Sequence, residues 1–127
     1  KMKQQQEYQL QKQVCAYIST QYPNVLFLSD TIASVSLTMP QAVRNKAIQK
    51  NGFKCPDLLI LEPKKEYSGM FIELKKDSPY KKDGTLKKNK HLEYQEKSMQ
   101  ELRSKGYYCL FSWNFEQTKR IIDIYLT

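Results

Sequence analysis

PDLLILE at residues 56–62 and MFIELK at residues 70–75 are two short apolar runs separated by a polar segment that contains Pro, Ser and Gly. This pattern predicts a β-hairpin with a long tip. Because side chains alternate between the two faces of a strand, Glu73 and Lys75 share one face of the second strand. Asp57 begins the neighbouring strand and comes within reach of them where the strands pair. Ionisable residues are out of place in buried strands, so these three residues point to a site.

Two carboxylates that converge with a lysine form a metal-and-water arrangement. Carboxylate oxygens are the hard ligands that Mg²⁺ prefers. An ammonium group beside the attacking water is suited to hydrolysis assisted by a metal ion. The three side chains therefore predict a hydrolytic metal site at the end of the hairpin.

The order of these residues resembles a known nuclease motif. Pro56-Asp57, a spacer and then Glu73-Leu74-Lys75 are similar to the PD-(D/E)XK motif. Glu7 on a first helix, Gln95 on a later helix and the Gly-Tyr-Tyr sequence at 106–108 make the chain resemble, more narrowly, the VRR-NUC branch. That branch occurs in phage proteins and in Fanconi-associated nucleases. The resemblance spans nearly the full chain and implies a restriction-endonuclease-like fold.

The resemblance also implies a role for each motif residue. Asp57 and Glu73 would hold Mg²⁺ or Mn²⁺, with the backbone carbonyl of Leu74 as a further ligand. Glu7 would supply another carboxylate or hold a metal-bound water. Lys75 would position or activate the attacking water and stabilise developing negative charge. The electrostatic role comes first, because an ammonium group beside two carboxylates is stabilised in its charged form.

Two predicted helices place a polar side chain on their apolar stripe. Glu7 precedes Leu10 on the stripe of the first helix, and Gln95 lies between Leu92 and Met99 on that of the third. Glu7 alone is explained by the helix dipole, and Gln95 by a satisfied core or rim amide. The match of both positions to the VRR-NUC pattern favours the catalytic interpretation, in which Gln95 orients Lys75 or the scissile phosphate.

The chain has a formal net charge of +8, which favours a polyanionic partner. Its most basic segment directly follows the strand of Glu73 and Lys75. A solvated loop is the usual explanation of such a run, but this position favours contact with phosphates. The predicted nucleic-acid contacts are Lys76, Lys81, Lys82, Lys87, Lys88 and Lys90 in this segment, with Arg44 and Lys46 on the preceding helix.

The length predicts a single domain, residues 1–127, and the periodicities predict the order α-β-α-β-β-α-β-α. A hairpin followed by a strand–helix–strand crossover gives a mixed sheet covered by helices on both faces, an α/β fold. Residues 32–39 remain unassigned. Outside the hairpin, helices are predicted at about 4–20, 40–50, 90–105 and from 115, and strands at 25–28 and 107–113.

Four further observations limit the function and the extent of the site. Cys15, Cys55 and Cys109 form neither a zinc pattern nor a disulfide framework, which favours a reducing cytoplasm. No apolar run approaches the ~20 residues of a membrane span, and we expect no signal peptide. His91, the only histidine, fits a cap or surface residue, and its isolation disfavours HNH-type and zinc-dependent chemistry. Asp30 is explained by a local Asx-turn and is left outside the site.

The function predicted from these residues is a divalent-metal-dependent DNA endonuclease. The resemblance extends the expectation to branched DNA cut by a homodimer, because one short domain offers one cleft and a symmetric dimer brings two clefts to paired strands. The alternative is a nucleic-acid-binding module that keeps the fold without hydrolysis. The residues favour neither DNA nor RNA as the substrate.

Overall fold

The computed structural model of the protein describes residues 2–30 and 36–127, so part of the unassigned segment 32–39 lies outside the described residues. Helices and strands follow the predicted order. The first strand begins two residues later than predicted and the second helix ends two residues earlier. The elements are α1 (Met2–Gln21), β1 (Phe27–Ser29), α2 (Met39–Ile48), β2 (Leu58–Ile60), β3 (Met70–Leu74), α3 (Lys90–Ser104), β4 (Tyr108–Ser112) and α4 (Phe115–Leu126).

The four strands form one mixed sheet in the order β1-β2-β3-β4. β1 with β2 and β2 with β3 are antiparallel, whereas β3 with β4 is parallel. The predicted hairpin is thus the centre of the sheet. Its register pairs Leu58 with Ile72 and Leu59 with Phe71, which brings the start of β2 beside the end of β3. This register determines where the acidic side chains meet.

The two faces of the sheet have separate cores. Met70, Ile72 and Leu74 are buried against apolar residues of α1 and α4. Phe71 lies on the opposite face, where it belongs to a cluster with Met99 of α3. Strand alternation puts Glu73 on the same face as Phe71. The third helix therefore covers the face that carries the predicted acid.

The second helix lies at the surface. Thr38 caps it, and its hydroxyl accepts a hydrogen bond from the Gln41 N–H at 3.3 Å. None of its ten residues, all within the described part of the chain, is buried. Met39 and Ile48 are among its exposed apolar residues. In residues 2–30 and 36–127, no helix is long and apolar enough to cross a lipid bilayer.

The basic segment between β3 and α3 folds into a small hairpin. The Lys81 N–H donates to the Thr85 carbonyl at 2.7 Å, and the Lys87 N–H donates to the Pro79 carbonyl at 2.9 Å. The Tyr80 ring packs edge-on against Phe111 and Trp113, at centroid distances of 6.1 and 5.8 Å. The lysines therefore project from a segment attached to the core.

Candidate active site

Asp57 and Glu73 meet at the centre of the sheet. Asp57 directly precedes β2, and the register places it opposite Glu73 near the end of β3. The Asp57 Oδ2 accepts a hydrogen bond from the Leu74 N–H at 2.9 Å. One oxygen of Asp57 is therefore fixed on the backbone of β3, beside the peptide whose carbonyl was predicted as a ligand.

The Glu73 carboxyl group is held in an unfavourable environment. Its residue is 4% exposed, although the side chain is ionisable. Burial raises the pKa of Glu73 well above its ordinary value, and the negative charge of Asp57 and a hydrogen bond between the two carboxyl groups raise it further. The ammonium groups of Lys75 and Lys54 oppose this rise in pKa. A cation shared by the two carboxylates would relieve the repulsion between them.

Gln95 lies on α3 directly over this pair. It is 3% exposed, and its Nε2 donates to the Glu73 Oε2 at 3.1 Å. The structure thus places the amide on the carboxylate, where the sequence predicted contact with Lys75 or a phosphate. Among the described residues, the Gln95 Oε1 has no hydrogen-bond partner. Leaving a buried carbonyl unpaired costs roughly 1–3 kcal/mol, so this oxygen is a candidate acceptor for a water or a ligand.

His91 is exposed, as the sequence predicted, and it also contacts the site through Gln95. Its Nε2 lies 3.1 Å from the Gln95 Nε2, so the amide donates to both Glu73 and the imidazole. The signal in the sequence was the spacing of four residues between His91 and Gln95, which places them on one side of a helix. The cap of α3 is Asn89, whose side chain accepts from the His91 and Leu92 N–H groups.

Lys75 opens onto a cavity of about 300 Å³, which we call the lysine cavity. Its backbone N–H donates to the Ser112 carbonyl at 2.8 Å, which ties the end of β3 to β4. The cavity extends over the start of α3 and the basic hairpin. Its charged and imidazole lining residues are Glu7, Lys75, Lys76, Asp77, Lys87, Lys88 and His91.

The predicted metal ligands are only partly brought together. Asp57 and Glu73 are adjacent, and Leu74 lies beside Asp57. Glu7 lines the lysine cavity near Lys75. Within residues 2–30 and 36–127, no three His, Cys, Asp or Glu side chains are grouped closely enough to hold a metal ion. The oxygen donors that the geometry brings together are the carboxylates of Asp57 and Glu73, and a pair of carboxylates suits Mg²⁺ because this ion keeps several of its waters.

A second cavity, of about 380 Å³, opens on the Asp57 side of the pair, and we call it the amide cavity. Asp30, which the sequence analysis places outside the site, lines this cavity. The Asp30 N–H donates to the Asp57 carbonyl at 2.8 Å. Lys54 was not predicted as a site residue, yet it lines the same cavity and its charge acts on Glu73. The remaining lining residues are Leu28, Ser29, Asn45, Gln49, Phe53, Cys55, Pro56, Asp57 and Leu59.

The predicted nucleic-acid contacts divide into two groups. Lys76, Lys87 and Lys88 line the lysine cavity together with the predicted catalytic lysine. The others are exposed and do not line either of these two cavities. These are Lys81 and Lys82 at the tip of the basic hairpin, Lys90 at the start of α3, and Arg44 and Lys46 on α2.

Comparisons with known proteins agree with this fold. No protein-family model matches the chain, and no curated protein matches it. A solved structure described as a VRR_NUC domain protein is similar to 94% of this chain, over 87% of that chain, with a TM-score of 0.61 and 19% identity. At this identity the likeness establishes the fold. It confirms the fold that the motif resemblance implied.

Proposed function

We propose that the protein is a nuclease that hydrolyses phosphodiester bonds in DNA with Mg²⁺ or Mn²⁺. The observation that carries the proposal is the pair of adjacent carboxylates, Asp57 and Glu73, at the end of β3 with Lys75 two residues further along. The fold shared with a VRR_NUC domain protein supports it. So does the buried Gln95 Oε1, which lies in the same site and lacks a partner among the described residues.

The proposed metal ligands are Asp57, Glu73 and the Leu74 carbonyl, with Glu7 as a further carboxylate. When bound, the ion polarises the phosphate and lowers the pKa of water. The protein fixes the Asp57 carboxylate through the Leu74 N–H, and fixes the Glu73 carboxylate through the Gln95 amide. Both acids are therefore oriented before the ion arrives, which reduces the reorganisation needed on binding.

Each remaining residue of the site has a defined task in this proposal. The Lys75 ammonium positions the attacking water and stabilises the charge that develops on the phosphate. Gln95 holds Glu73 and offers its Oε1 as an acceptor to water. The cluster of lysines at 76, 87 and 88 attracts the backbone phosphates, because the four lysines of the cavity outnumber its two carboxylates and leave its lining positive.

The first test is cleavage of labelled DNA during a titration with Mg²⁺ or Mn²⁺, with EDTA as the reference. We expect the wild type to cleave only with the divalent ion. The combined variant Glu73→Ala with Lys75→Ala should lose cleavage and still retain DNA in a gel-shift assay. Lys97→Ala, an exposed lysine on α3, is the control for loss of charge. If the wild type binds DNA but cleaves it under no ion condition, the protein is the non-catalytic binding module.

The proposal extends to structure-specific cleavage by a homodimer, because a single domain of this size offers one site and a symmetric dimer offers one site to each of two strands. We expect symmetric paired nicks on a four-way junction, and little cutting of a flap or a linear duplex of the same sequence. Sedimentation should give the mass of two chains. Equal cutting of all three DNAs, or a monomer that cuts junctions, would remove this extension. A matched RNA duplex in the same panel tests the nucleic acid itself.

A further inference from the structure

The lysine cavity and the amide cavity differ in charge. The lysine cavity is lined by four lysines and two carboxylates, Glu7 and Asp77. The amide cavity has one lysine among its described lining residues, Lys54, against the carboxylates of Asp30 and Asp57. The first lining favours phosphate groups, and the second, with one lysine against two carboxylates, favours them less. A nucleic acid at this site is therefore expected to place an uncharged part in the amide cavity.

The amide cavity also contains a hydrogen-bonding pair. The Gln49 Nε2 donates to the Asn45 Oδ1 at 3.0 Å, and both residues line the cavity. One contact between two amides always leaves one NH₂ group and one carbonyl oxygen available, whichever way the amides are oriented. An adjacent donor and acceptor are complementary to the edge of a nucleobase, and Asn and Gln read adenine in this way.

Apolar groups line the same cavity. Phe53, Leu59 and Pro56 supply lining surface, and Phe53 and Leu59 also pack against the core below α3. A binding site made of apolar walls and a few polar groups is typical for small uncharged rings. The volume of about 380 Å³ lies within the range of ligand sites.

We propose that the amide cavity receives an unpaired nucleobase adjacent to the scissile phosphate. The inference rests on the proposed nuclease function and adds a substrate class to it: DNA with an unpaired nucleotide next to the cleavage position. A paired base would first have to leave the stack, which costs a few kcal/mol and costs least where the base is already unpaired. The phosphates that flank this nucleotide lie toward the lysine cavity.

The position of the amide pair distinguishes it from the cations of the same helix. Asn45 lies between Arg44 and Lys46, and successive residues on a helix point about 100° apart. Of these three residues, only the neutral Asn45 lines the amide cavity. A surface for phosphates alone would be expected to use the arginine or the lysine.

The experiment measures DNA affinity in EDTA, so that neither metal nor cleavage is needed. Three DNAs differ at one central position, which carries a paired base, an unpaired base or an abasic residue. We expect the wild type to bind the unpaired base about tenfold more tightly than the abasic residue, the lower part of the range for a specific base contact. Asn45→Ala and Gln49→Ala should each remove most of this difference. Gln21→Ala, an exposed amide at the end of α1, should retain it.

Equal affinity of the wild type for the base and the abasic residue would overturn the inference. Retention of the full difference by both alanine variants would also overturn it. Circular dichroism checks the fold, and since Gln49 is exposed and lies beyond the end of α2, the Gln49→Ala variant decides the matter if Asn45→Ala is unfolded. A base preference without metal-dependent cleavage would overturn the nuclease function and leave the cavity assignment intact. Metal-dependent cleavage without a base preference would support the nuclease function and overturn the cavity assignment.

Discussion

Replacing Glu73 with glutamine is expected to slow metal-dependent cleavage greatly and, in the absence of metal, to stabilise the fold. The carboxyl group is buried, and burial together with the charge of Asp57 raises its pKa well above the ordinary value. A neutral amide of the same size removes that repulsion and still accepts a hydrogen bond from the Gln95 Nε2. Stabilising substitutions at functional sites typically add about 0.5–2 kcal/mol to the free energy of unfolding. We expect cleavage to fall by about a thousandfold.

The two effects need separate measurements. Urea denaturation in EDTA gives the free energy of unfolding, and single-turnover cleavage in Mg²⁺ gives the rate. Glu101→Gln, an exposed glutamate on the same helix as Gln95, is the matched control and should change neither value. A Glu73→Gln protein less stable than the wild type in EDTA would mean that the Glu73 charge is stabilising, in conflict with the raised pKa.

The raised pKa also determines how the difference in free energy of unfolding between the wild type and Glu73→Gln depends on pH. The folded protein holds the Glu73 proton more tightly than the unfolded chain does. The loss of folding stability caused by ionising Glu73 is therefore absent below the ordinary glutamate pKa of about 4.3. It grows as pH rises from there through the higher pKa of the folded state. The stabilities of wild type and Glu73→Gln should therefore converge in mild acid and diverge toward neutral pH. Added Mg²⁺ should reduce the difference at neutral pH by stabilising only the wild type.

The central hairpin and its acids were predictable because their geometry is local. Strand alternation fixes the face of Glu73, and the pairing of two consecutive strands brings Asp57 opposite to it. These inferences require only the apolar pattern of two short segments. The placement of Gln95 also followed from its position on the stripe of α3, since a residue on the inward stripe must face the sheet.

The neighbours of these acids were not predictable to the same degree. Lys54 acts on Glu73 because a hydrogen bond of 2.9 Å from its N–H to the Ser98 Oγ on α3 holds its extended segment. A contact across 44 residues leaves no local pattern in the sequence. His91 joins the site through the rotation of α3 about its axis, which is set by packing against β3 and β4. β1 starts later than predicted because Phe27 pairs with Ile60, the last residue of β2, so that Val25 lies beyond the paired segment.

Lys75 and the pair Lys87 and Lys88 line the same cavity, yet we expect their removal to have different effects. Lys75→Gln should lower the single-turnover rate at saturating DNA by about 10²–10³-fold, the effect of losing one group that stabilises charge in the transition state. Its affinity for DNA in EDTA should stay within about twofold of the wild type, because one lost charge among many contacts is a small part of binding.

Lys87→Ala with Lys88→Ala should show the opposite pattern. Each phosphate contact contributes about 0.9 to the slope of log affinity against log salt concentration for duplex DNA, so loss of two contacts should reduce the slope by about 1.8. The rate at saturating DNA should remain that of the wild type, since in the proposed complex these lysines would contact backbone phosphates other than the reacting one. Lys97→Ala, outside the cavity, should alter neither slope nor rate.

The different effects expected for Lys75 and for the pair Lys87 and Lys88 follow from the elements that carry these lysines. Lys75 follows β3 directly, and its N–H bond to the Ser112 carbonyl fixes its backbone beside the carboxylate pair. Lys87 and Lys88 end the basic hairpin, whose position is set by Tyr80 on Phe111 and Trp113. A side chain fixed by the sheet can be aligned with the reacting phosphate, whereas a surface hairpin supplies charge. If the Lys75→Gln variant kept the wild-type rate at saturating DNA, Lys75 would be only a binding residue. The proposed chemistry would then depend on the carboxylate pair alone.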